Sequence, residues 1–83
     1  MENENRVAII SMIIENDESV TEVNSLLHVY RKYIKGRMGV PYTERGLNII
    51  SVVMDAPEDA ISALSGKLGR LRGVTSKAVY SKK

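Results

Sequence analysis

A four-stranded antiparallel sheet with two helices on one face, an α+β sandwich, is the architecture that three patterns predict for this chain of 83 residues. Two runs, residues 7–14 and 47–54, are rich in β-branched side chains and apolar on both alternate sets, as strands covered on both faces are. An amphipathic helical stretch follows each run behind a helix-start signal. A weaker strand pattern, residues 34–40 and 74–81, follows each helix in turn. The order βαββαβ is that of the ferredoxin-like sandwich, with the first and third strands central. Those are the two strands that are apolar on both sides.

The first strand carries Val7, Ile9 and Ile13 on one set and Ala8, Ile10, Met12 and Ile14 on the other. The polar break Glu15-Asn16-Asp17-Glu18 ends it, and Ser19 stands three residues before Glu22, a capping-box spacing. Val20, Val23, Leu27 and Tyr30, widened by Leu26, form the buried stripe of a helix that ends near Lys32. Ile34, Gly36, Met38 and Val40 alternate with Lys35, Arg37 and Gly39, which fits an edge strand with one wet face. Residues 41–46 read as a connector. Asp55 is placed to cap the second helix, with Glu58 three residues on and Pro57 in the first turn. Ile61, Leu64, Leu68 and Leu71 supply its buried stripe, and Gly73 suits its exit. The domain spans residues 6–81, after a flexible N-terminus of residues 1–5 and before a basic tail at residues 82–83.

Composition narrows the function. A chain this short buries a modest core and gains from disulfides, metals or partners. It has no cysteine and a single histidine, His28, so no cofactor and no metal site is expected. Oligomerisation is the remaining source of buried area. Two helices cover only one face of the sheet, and the bare face would carry one apolar set from each central strand. Ile10, Met12, Ile14, Ile50, Val52 and Met54 are the expected set, packed against another copy in a dimer or tetramer. The acidic, polar start MENENR is no targeting signal, and no apolar run approaches a membrane span, so a cytoplasmic protein without membrane association is expected.

The net charge of +2 gives no bulk argument for nucleic acid, although no acid follows Asp59, where Lys67, Arg70, Arg72, Lys77, Lys82 and Lys83 fall. The central strands lack the aromatics that stack on bases, and the chain has no phenylalanine or tryptophan. Gly36-Arg37-Met38-Gly39 matches a G-x-x-G clamp, but Val40-Pro41 opposes the helix that such a loop requires, and Gly66-Lys67-Leu68-Gly69 matches it as well. Acids after the first strand would repel a phosphate there. No nucleophile–base pair stands out, and a lone His28 makes none, so no enzyme is expected. The segment GRMGVPYTERG concentrates glycine, proline and arginine in eleven residues. Lys35, Arg37, Met38, Gly39, Tyr42 and Arg45 are the candidates there for a ligand pocket or subunit contact, because arginine forks suit carboxylate or phosphate.

The run GRMGVPYTERGLNIISVVMDA, followed by ISALSGKLGRLRGVTSKAVYSK, resembles the iron-only hydrogenase system regulator family over roughly residues 6–82. The resemblance implies a ferredoxin-like fold of the ACT-like type, similar also to the C-terminal domain of nickel-responsive regulators, and a role in transcriptional regulation. The loop after the first strand lacks the glycine near which ACT domains bind amino acids, and His28 alone cannot replace the histidines and cysteine of nickel sensors. The expectation is therefore an oligomeric ACT-like regulatory or sensor module that binds a small effector or a partner protein. The alternatives are an adaptor that binds only partners, or a weak nucleic-acid binder through the basic C-terminal third.

Overall fold

The first strand, β1 (Asn5–Ile14), lies in the middle of the sheet, although it is made first. The structure, a computed structural model, describes residues 4–83. After β1 come helix α1 (Val20–Val29), strands β2 (Ile34–Tyr42) and β3 (Leu47–Pro57), helix α2 (Glu58–Gly69) and strand β4 (Val74–Tyr80). The sheet order is β2-β3-β1-β4 with every neighbour antiparallel. This is the ferredoxin-like sandwich expected from the pattern. Of the N-terminal stretch expected to be flexible, residues 1–3 lie outside the described part, whereas Asn5 already pairs with Pro57.

One alternate set of each central strand meets the helices. Ala8, Ile10, Met12 and Ile14 of β1 and Ile50, Val52, Met54 and Ala56 of β3 pack with Val23, Leu27, Ile61, Leu64 and Leu68 in a single core. Burying a side chain of this size contributes about 1.5–3 kcal/mol each. This corrects the face expected to bind another copy. Ile10, Met12, Ile14, Ile50, Val52 and Met54 lie beneath α1 and α2, at most 7% exposed, so none of them is open to a second chain. The sheet's other face carries Val7, Ile9, Ser11 and Ile13 of β1 beside Ile49, Ser51, Val53 and Asp55 of β3.

The helix starts also differ from their sequence signals. Ser19 does not cap α1: its backbone is already helical after a 3-10 turn at Asp17–Ser19, and Asn16 Oδ1 accepts the Glu18 N–H instead. The Ser19 hydroxyl, buried, donates to the Arg72 carbonyl at 2.6 Å. Ser19→Ala leaves that carbonyl short of a donor and is expected to cost about 1–2 kcal/mol. Thermal unfolding checks this as a fall of roughly 5–15 °C in a domain of this size. Asp55 remains in β3 opposite Val7, because β1 reaches back to Asn5 and keeps β3 paired as far as Pro57. Pro57 then takes the cap position, where its missing N–H costs nothing.

The α1 end of the sheet is closed by two loops in contact. The Glu15 N–H donates to the Gly73 carbonyl at 2.7 Å, beside the Ser19–Arg72 bond. Gly73 has φ +71°, and a Cβ there would stand 2.8 Å from Asn16 Cβ. At the opposite end, Arg6 donates to the Ser81 carbonyl at 2.8 Å, lies over the Tyr80 ring and pairs with Glu58 at 3.5 Å. The partly exposed ion pair adds little stability. The bond to Ser81 holds the start of β1 beside the end of β4.

Candidate functional site

Lys35 and the segment 36–46 were expected to form one ligand or subunit contact, and the sheet divides them between two faces. A register shift between Ile34 and Gly36 marks a bulge around Lys35. Before it, Ile34 pairs with Met54 and faces the helices. After it, Arg37 pairs with Val52 and Gly39 with Ile50, so these two take the helix side. Met38, Val40 and Tyr42 pair with Ser51, Ile49 and Leu47 and take the open side. Ile34 therefore does not continue the set Gly36, Met38 and Val40, because the extra residue of a bulge shifts the alternation. Lys35 is exposed at the bulge, and Arg45 is exposed in the 3-10 turn Thr43–Arg45, which Gly46 closes at φ 67°. Arg37 and Tyr42 do not converge on one ligand. Nor do Gly36 and Gly39 serve close packing, since a Cβ at Gly36 meets nothing within 4 Å and one at Gly39 meets only ordinary contacts.

Two features remain. The first is the open sheet face. Ile9 pairs with Val53 on one side and Val79 on the other, Ile13 pairs with Ile49, and Val40 continues that row onto β2. Ile9, Ile13, Val53 and Val79 are between 39% and 65% exposed, and Met38 is 60% exposed. Among them Ser11 and Ser51 share a hydrogen bond of 2.9 Å. Asp55 stands opposite Val7, and Lys77 stands on the edge strand β4 in the row of Ser11 and Ser51.

The second feature is a cleft on the helix side between α1 and the start of β2. It is lined by Asn24, Leu27, His28, Arg31, Ile34 and Arg37. Arg37 Nη2 donates to Asn24 Oδ1 at 3.1 Å, and Arg31 Nη1 donates to the His28 carbonyl at 2.9 Å. Of these residues the sequence reading singled out only Arg37 for binding. The available signal was the absence of any acid between Glu22 and Glu44.

The basic residues of the C-terminal third do not share a surface. Lys67 and Arg70 border a cleft between the helices, where Lys67 Nζ donates to the Tyr30 hydroxyl at 3.0 Å, whereas Lys77 pairs with Ser11 on the open sheet face. Among the described residues no group of three His, Asp or Glu is arranged to hold a metal ion, and no helix is long and apolar enough to cross a membrane.

Comparison with known proteins places this geometry. The uncharacterized protein TM1266 from Thermotoga maritima superposes with a TM-score of 0.91 at 38% identity, over 95% of this chain and 100% of its own. The C-terminal domain of the MgtC protein from Mycobacterium tuberculosis shares the fold at 10% identity, with a TM-score of 0.74 over 99% of this chain and 94% of that one. A formyltetrahydrofolate deformylase from Pseudomonas putida KT2440 matches over 93% of this chain but 29% of its own, at 14% identity and a TM-score of 0.68. No curated protein matches the chain. The model of the TM1266-like family, described as "Iron-only hydrogenase system regulator, putative", matches residues 6–78. With that match covering most of the chain, and a solved relative alike in fold from end to end, the protein belongs to the TM1266-like family.

Proposed function

We propose that the chain is a regulatory or sensor module, not an enzyme, and that it works as a homo-oligomer closed over the open sheet face. Its output is the regulation of an iron-only hydrogenase system that the family description names, exercised through a small effector or a protein partner. The open face carries this reading. Four strands at ~4.8 Å spacing and about seven residues of length outline on the order of 400 Å². Val7, Ile9, Ile13, Ile49, Val53 and Val79 make most of the centre of that face apolar, a patch of the kind that is often functional.

A second copy suits this face. Asp55 and Lys77 give it one charge of each sign, so two copies meet without net repulsion. Ser11 and Ser51 already share a hydrogen bond, so covering them leaves each hydroxyl with a partner and only one O–H donor to be met across the contact. Tyr42, at the sheet edge, is the one aromatic side chain on this side of β2, and β1 and β3 have none, which disfavours base stacking. The division of the C-terminal bases between two surfaces weakens the nucleic-acid alternative further.

Sedimentation at micromolar concentration tests the reading. Wild-type protein is expected to run as a dimer or larger, and Ile9→Lys as a folded monomer with an unchanged circular dichroism spectrum. A monomeric wild type rejects the proposal.

A further inference from the structure

We propose that the cleft between α1 and the start of β2 binds a phosphate group. Its volume is about 280 Å³, room for a phosphate with a small organic substituent and little more. Buried Leu27 and half-buried Ile34 supply its apolar side. Its polar groups come from three elements: Asn24 and His28 from α1, Arg31 from the 3-10 turn Arg31–Tyr33, and Arg37 from β2.

The charge in this cleft is uncompensated. Two guanidinium groups line it and no carboxylate does. Among the described residues neither arginine pairs with an acid, in contrast to Arg6 and Glu58. Each arginine is nevertheless oriented. Arg37 is held by Asn24 and Arg31 by the His28 carbonyl, and each of these bonds uses one of a guanidinium's five N–H donors. The remaining donors are free for a ligand that restores charge balance.

One effect opposes an anion here. The carbonyls at the C-terminal end of α1 carry about half a negative charge. Arg31 neutralises part of it by donating to the His28 carbonyl, and two full positive charges outweigh the rest. Donors approaching from three elements favour a tetrahedral oxyanion over a planar carboxylate. A carboxylate fills one arginine fork, whereas phosphate presents oxygens to both forks and to the imidazole. The inference rests on the sensor reading above, to which it adds an effector class.

Calorimetric titration of the full chain at low ionic strength, with inorganic phosphate, glycerol phosphate and acetate, tests it. Phosphate is expected to bind saturably, and Arg31→Gln and Arg37→Gln each to weaken it at least tenfold, while Lys82→Gln leaves it unchanged. Both arginines are exposed, so circular dichroism of the variants should match wild type. Tighter binding of glycerol phosphate than of phosphate assigns the site to a phosphorylated metabolite, and the reverse assigns it to free phosphate. Acetate binding as tightly as phosphate at matched ionic strength overturns the proposal, as does wild-type affinity in both arginine variants. Sedimentation of the same samples separates the two readings. Absence of phosphate binding with assembly intact removes this site alone, and a monomer that binds phosphate removes the oligomer alone.

Discussion

Ile10→Asp is expected to unfold the domain, and the same change one residue earlier, Ile9→Asp, to leave it folded. Ile10 is fully buried in the core, whereas Ile9 is 42% exposed on the open face. Truncating a buried isoleucine costs about 2–5 kcal/mol. An unpaired carboxylate in its place adds several more, because no cation lies in that core to receive it. A domain of this length has a total stability of roughly 4–12 kcal/mol. The two terms together consume most or all of it. At Ile9 the carboxylate of the dissociated chain projects into water, and the change removes only the partial contacts with Val53 and Val79 within the chain besides those of the proposed assembly. Urea unfolding of the two variants makes the check: similar midpoints would mean that the burial pattern is wrong.

The second large effect is at Gly73. Gly73→Ala places a methyl group 2.8 Å from Asn16 Cβ and 3.1 Å from Asn16 N, at a φ of +71°. The left-handed conformation alone costs an L-residue about 1–2 kcal/mol. Asn16 cannot simply withdraw, since it caps the turn before α1 and its neighbour Glu15 is bonded to Gly73 itself. A total of about 3 kcal/mol or more is expected, a fall in melting temperature of roughly 12–24 °C. Gly36→Ala is the matched control, because its Cβ meets nothing within 4 Å and its φ is not positive. A melting temperature for Gly73→Ala within a few degrees of the control would reject the interlocked-loop account.

The element order and the central position of β1 and β3 were legible in the sequence because their apolar runs are of strand length and the helical stripes between them keep a distinct period. What double-sided strands conceal is which set goes inward. In β1, Val7, Ile9 and Ile13 are as apolar as Ile10, Met12 and Ile14, and hydrophobicity could not rank them. The discriminating residues were Ser11 and Ser51, which interrupt the outward sets and pair with each other across the strands. The bulge at Lys35 was not legible, because no proline or positive-φ glycine marks it, and it moved Ile34 off the set of Gly36, Met38 and Val40 to the side that Arg37 and Gly39 share. Asn24 and His28 escaped notice as members of the cleft because their proximity to Arg37 depends on how α1 crosses β2, which local pattern does not encode.

The sheet order has a further bearing on the life of the chain. β1 leaves the ribosome first, yet it needs β3 on one side and β4, the last strand made, on the other. Until residue 80 is available, one edge of a strongly β-prone segment has no partner, and such edges invite pairing between chains. The closing bonds, Arg6 to Ser81 and Glu15 to Gly73, likewise join the two ends of β1 to the two ends of β4. The sandwich is therefore closed only once β4 has followed the other three strands.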